Sequence, residues 1–245
     1  MVDDSHASLA RYLEENVLGR PAYSRAMAAR LVGLTEQRVS RWLKGYSYDY
    51  APAPGRAPVR RSQQPVIHTT GMEGPLFASF LDVVDLLFVK AFLGKGISLQ
   101  RLRQALVEAE RILGRPRFAY REFWTDGRNI YLEVKNQGDA LLQLLSGGQW
   151  TFAEIICQIA SHMDFDEATG FTERWFPLGR ETPVVIDPKI SFGAPTVFRR
   201  GIATANVYDM YLAEDKNPRR VCSWFDLRRG EVEAAVEFET RLAAA

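Results

Sequence analysis

Apolar side chains recur at helical spacing in two short runs near the start of the chain. Ser24 is placed to cap the first, in which Met27, Ala28, Leu31 and Val32 share a face, and Gly33 ends it by accepting a left-handed backbone. Leu34 then reads as a buried turn residue. Thr35 caps the second run, with Val39, Trp42 and Leu43 inward and Gly45 at its end. Helix, tight glycine-containing turn, helix is the helix-turn-helix pattern. Tyr46–Tyr50 alternates as a strand, Ala51–Ser62 reads as a Pro-rich loop, and Pro65–Thr69 reads as the returning strand of a hairpin, or wing.

The pattern changes further on. Phe80–Leu93 is apolar almost all round, which predicts a helix buried in the fold or shared with another subunit. Ser98 caps the next helix, with Leu99, Leu102, Leu106 and Ile112 on one face. Residues 121–182 read as a small α+β connector. It holds a strand at Asn129–Val134, short helices from Asp139 and over Ala153–His162, and a hairpin turning at Gly170. From Pro183 a strand is followed by three helices, Thr204–Ala213, Pro218–Phe225 behind an Asn217 cap, and Arg229–Arg241. Their inward faces are Val207, Met210 and Tyr211, then Val221 and Trp224, then Val232, Ala235, Val236 and Phe238. The expected fold is mainly α with small β (α+β), divided into 1–120, 121–182 and 183–245.

Composition narrows the class. With 47% apolar and 25% charged residues, the 245-residue chain reads as a globular protein. Charges interrupt every apolar run before the ~18 residues of a membrane span. The start of the chain lacks the basic and apolar segments of a signal peptide. Cys157 and Cys222 lie far apart, and His6, His68 and His162 are scattered, so no metal site or cofactor is expected. Asp164, Asp166 and Glu167 read as a polar turn rather than a cation site. No paired carboxylates, nucleophile with a base or phosphate loop stands out, so the chain is not read as an enzyme. The cytoplasm is the expected compartment.

Charge distribution says more than the net charge of +1. Residues 20–64 carry Arg20, Arg25, Arg30, Arg38, Arg41, Lys44, Arg56, Arg60 and Arg61 against only Glu36 and Asp49, while the rest of the chain is acidic on balance. A basic segment of this kind suits a polyanion. The outward residues of the second short helix are Gln37, Arg38, Ser40, Arg41 and Lys44, side chains suited to base edges and phosphates in a major groove. With Ser24 and Thr35 at the caps and Arg56, Arg60 and Arg61 on the wing, they form the expected contact set for double-stranded DNA.

Two resemblances follow from these residues. Ser24–Gly45 with its hairpin, then Asp85-Leu-Leu-Phe-Val89 and Lys95-Gly-Ile-Ser-Leu-Gln-Arg-Leu-Arg103, resembles the MerR superfamily over about residues 20 to 113. That likeness implies a winged-helix domain working as a dimer on an inverted repeat. The family's long dimerisation coiled coil is missing, because Gly114-Arg-Pro116 ends the helix. Ile186-Asp-Pro188, Phe192-Gly-Ala-Pro-Thr-Val197, Gly201-Ile202 and Val232–Phe238 resemble the small domain of VapB-type antitoxins and of genes beside PIN-domain toxins. This second likeness implies an antitoxin that binds operator DNA as a homodimeric autorepressor and neutralises a PIN-domain-like ribonuclease toxin. Arg199, Arg200, Arg228 and Arg229 are the expected toxin contacts, charge-paired with toxin carboxylates. The alternative is a MerR-like regulator that responds to a small ligand and has no toxin.

Overall fold

The computed structural model describes residues 16–51, 57–67, 69, 77–113, 117–119 and 157–244. It is an α+β fold with small antiparallel sheets. In chain order the elements are β1 (Pro21–Tyr23), α1 (Arg25–Val32), α2 (Glu36–Lys44), β2 (Tyr46–Tyr50), β3 (Val59–Gln63), β4 (Ala78–Ser79), α3 (Phe80–Gly94) and α4 (Leu99–Leu113). There follow β5 (Met163–Phe165), β6 (Thr172–Trp175), β7 (Val184–Ile186), β8 (Pro195–Val197), α5 (Thr204–Ala213), α6 (Pro218–Phe225) and α7 (Arg229–Ala244). β1 pairs with β4 and β2 with β3, while β5 to β8 form one sheet in sequence order. That sheet takes two strands from each side of residue 182. The expected connector strand at Asn129–Val134 and the helix from Asp139 lie outside the described residues.

The main core is built around α3. Phe80, Leu81, Val83, Val84, Leu86, Phe88, Val89 and Phe92 are all fully buried, so the chain itself covers the helix that is apolar all round. Ser79 and Asp82 start it with a capping box, each side chain accepting from the other's backbone N–H. Lys90 reaches from the same helix to the carbonyl of Val32 at 2.7 Å, satisfying an acceptor left open at the C-terminus of α1.

Two acids inside this apolar helix face the guanidinium of Arg117. The Arg117 guanidinium sits 3.1 Å from Asp82 and 3.2 Å from Asp85, and all three side chains are buried. The Ala119 N–H donates to Asp85 at 2.9 Å and the Thr69 hydroxyl to Asp82 at 2.9 Å. Among the described residues the two carboxylates share this guanidinium in a site with little water. Burial accordingly raises the Asp85 carboxyl to about 7, against the opposing pull of Arg117.

α7 serves two cores. Ala234, Phe238 and Leu242, four residues apart, enter the main core with Met163, Trp175, Val184 and Ile186. Val232 and Ala235 face a second, smaller core with Val197, Val207, Val221 and Leu227. The expected single inward face of this helix is therefore two stripes.

Two further expectations are corrected. The hairpin's returning strand is Val59–Gln63, not Pro65–Thr69. Proline has no N–H to give a ladder, and Val66 and Ile67 instead bury their side chains and donate to the carbonyl of Trp42 at 2.7 and 3.1 Å. Trp224 is not an inward residue of α6 but 65% exposed, its indole N–H donating to Glu214 at 2.9 Å. Cys222 and Phe225 join Val221 on the inner face instead.

Candidate nucleic-acid interface

α1 and α2 meet at a tight turn. Gly33 (φ 68°) ends α1 in the left-handed conformation, and Leu34 is buried behind it. Both helices have side-chain caps: the Ser24 hydroxyl accepts from the Met27 N–H at 3.1 Å and the Thr35 hydroxyl from the Arg38 N–H at 3.3 Å. Each exposed hydroxyl keeps its own proton to donate outward. Val39, Trp42 and Leu43 hold α2 against the core.

That packing leaves one face of α2 in solvent. Gln37, Arg38, Arg41 and Lys44 are exposed and Ser40 is half-buried. Among the described residues, Arg38, Arg41, Lys44, Arg60 and Arg61 form no ion pair with an acid. Lys44 and Arg25, from the ends of the two helices, both lie over the Phe77 ring, at 4.6 and 4.9 Å from its centroid.

The hairpin continues this surface. Its register sets Tyr46, Tyr48 and Tyr50 opposite Gln63, Arg61 and Val59, so the three tyrosines share one exposed face. Arg41 lies 4.7 Å from the Tyr46 ring centre and Arg61 lies 4.4 Å from that of Tyr50. Tyr46 and Tyr48 are 5.8 Å apart. Arg60 points to the other face, opposite Asp49. Arg60 and Arg61 thus stand on a strand, not on the loop. Arg56 lies outside the described residues.

The hairpin is seated by backbone contacts. A side chain at Gly45 (φ 73°) would collide with the Gln63 carbonyl oxygen, so only glycine lets β3 approach the end of α2. Arg103 of α4 donates to the carbonyls of Gln64 and Pro65. Sequence reasoning missed the tyrosines, although their period of two was visible. It also missed the buried ion cluster, although two acids three residues apart in an apolar helix signal a hidden cation.

Arg199 and Arg200 lie in the turn after β8, Arg228 precedes α7 and Arg229 is its first residue. Arg199 has a left-handed backbone (φ 70°) and lies 5.7 Å from the Phe198 ring centre. Arg200 pairs with Asp226 at 2.9 Å, linking its turn to the one that precedes α7. Arg229 pairs with Glu233 at 2.7 Å. The Arg228 N–H donates to Glu231 at 2.7 Å, while its side chain is exposed and has no acid partner among the described residues. The acidic turn is internally satisfied: Asp166 accepts from both the N–H and the hydroxyl of Thr169, and Asp164 pairs with Arg180 at 2.7 Å. Among the described residues no group of three or more His, Cys, Asp or Glu could hold a metal ion, and no helix is long and apolar enough to cross a membrane.

No family profile matches the chain. It is similar to a Mycobacterium tuberculosis (strain ATCC 25618 / H37Rv) protein named "Putative antitoxin VapB45", 25% identical over 200 residues, covering 76% of this chain and 81% of that protein. Its fold is also that of the X-ray crystal structure of Rv2018 from Mycobacterium tuberculosis. The match has a TM-score of 0.64 and 18% identity, and covers 89% of this chain and 97% of that one.

Proposed function

We propose that this chain is a VapB-type antitoxin that represses its own operator and neutralises a PIN-domain-like ribonuclease toxin by direct binding. The antitoxin name of the relative, matched over 76% of this chain, is the observation that carries the reading. The bare cationic face of α2 supports the DNA half of it.

In this reading residues 1–120 form a winged-helix domain that docks α2 in the major groove of duplex DNA. Arg38 and Arg41 fork onto guanine edges, Gln37 pairs with adenine, and Ser40 and Lys44 reach phosphates. Ser24 and Thr35 donate their free hydroxyl protons to the backbone, and Arg56, Arg60 and Arg61 follow it along the hairpin. A homodimer would read an inverted repeat, and occupancy of the promoter would repress without chemistry. Residues 121–182 connect to a toxin-binding part, 183–245, where Arg199, Arg200, Arg228 and Arg229 meet toxin carboxylates.

The test is co-expression in the cytoplasm with the product of the adjacent gene, with growth and complex formation as readouts. Rescue of growth together with a stable complex is the expected result. A chain that binds operator DNA but neither rescues growth nor forms a complex would remove the antitoxin assignment.

A further inference from the structure

The turn before β8 displays a phenylalanine in an unusual way. Ser191, Phe192 and Gly193 have φ of 48°, 55° and 79°, three successive left-handed residues of which only one is glycine. A bulky residue in that region is an outlier that persists only where its surroundings impose it. They do so here. The buried Tyr23 hydroxyl donates to the Gly193 carbonyl at 2.8 Å, the Gly193 N–H donates to Ile190 at 2.9 Å, and the Ser191 hydroxyl donates to Gly201 at 3.1 Å. The effect of this bracing is to hold the Phe192 side chain 93% exposed, beside the exposed Ile190.

We infer that Phe192 is the anchor by which the chain grips its toxin, filling an apolar socket edged by carboxylates. The inference rests on the toxin-binding reading above and names the residue at its centre. A fold gains nothing by straining its backbone to put a phenyl ring in water, whereas a partner's pocket recovers that surface, and a braced turn loses little freedom on docking. Charge specifies the partner. The Ser191–Gly201 bond places the turn against Arg199, and the Arg200–Asp226 pair joins it to Arg228. Neither Arg199 nor Arg228 meets an acid among the described residues, so the rim calls for negative charge. The four arginines outnumber the exposed Asp226 and Glu233 on the same rim, which pair with Arg200 and Arg229.

The experiment measures affinity of the full chain and of Phe192→Asn for the PIN-domain-like toxin encoded beside it, with melting temperature and operator affinity alongside. Asparagine tolerates the left-handed backbone. The expected result is at least about tenfold weaker toxin binding, an unchanged or higher melting temperature and unchanged operator affinity. Unchanged toxin affinity would overturn the anchor and leave the antitoxin reading standing. A marked fall in melting temperature would show the ring to be a packing element, and lost operator affinity would assign the turn to DNA; either overturns the proposal. No complex with the unaltered chain would remove the toxin reading and this inference together.

Discussion

The hydroxyl of Tyr23 donates to the carbonyl of Gly193 at 2.8 Å, a buried bond between residues 170 positions apart. It joins the strand ahead of α1 to the turn ahead of β8, tying β1 to the rear half of the chain. Burial and the nearby Asp187 charge both raise the Tyr23 phenol well above its ordinary value, so it donates at every working pH. Tyr23→Phe should cost about 1–2 kcal/mol, the net bond plus an unsatisfied buried carbonyl. Gly193→Ala should cost more, since its Cβ would lie 2.5 Å from the same hydroxyl at a φ of 79°. Urea unfolding of the two variants checks the order.

The proposed DNA contacts should separate by their salt response. Arg38→Ala or Arg41→Ala should lose about 1–3 kcal/mol of operator affinity and relax base preference at one position. Arg60→Ala should weaken all duplexes alike and reduce the salt slope by about 1. Fluorescence anisotropy at several salt concentrations distinguishes the two. Equal affinity in the Arg38→Ala, Arg41→Ala double variant would remove α2 as the reading helix.

Gly45→Ala tests the seating of the hairpin. The added carbon meets the Gln63 carbonyl, and its left-handed backbone strains any other residue. The expected loss is about 1–3 kcal/mol of stability, with a fall in DNA affinity at temperatures where the variant remains folded. A thermal melt combined with a binding isotherm provides both values.

The buried cluster predicts an unusual pH response. Asp85 is raised from 3.8 to about 7 in the folded chain, so the folded state holds a proton that the unfolded state releases. Its contribution is full below the unfolded value and disappears as pH rises through about 7. Asp85→Asn should flatten the melting temperature between about pH 4 and 7 relative to the parent chain. Arg117→Met should instead lose about 3–5 kcal/mol, because it strands two buried carboxylates.

Local chemistry made much of this fold legible. Ser24, Thr35 and Asn217 cap the helices that their sequence context predicts, because a hydroxyl or amide beside a periodic apolar run has few other uses. Non-local pairing was less readable. The strand Val59–Gln63 is wholly polar but for Val59 and follows a Pro-rich stretch, so nothing in its own residues marks it as the partner of Tyr46–Tyr50. Trp224 looks apolar in a sequence, yet Glu214 ten residues earlier gives its indole N–H an exposed partner. At the candidate site the charges of α2 were visible, whereas the tyrosine face depends on a cross-strand register. Phe192 carries no such signal in the sequence, since a strained φ leaves no mark on composition.

The two stripes of α7 carry a consequence for how the molecule can be dismantled. Because Phe238 and Leu242 lie in one core and Val232 and Ala235 in the other, trimming this last helix would unplug both at once. If the proposed function holds, proteolysis of α7 would therefore loosen the cores beneath the DNA-reading and the toxin-binding surfaces together.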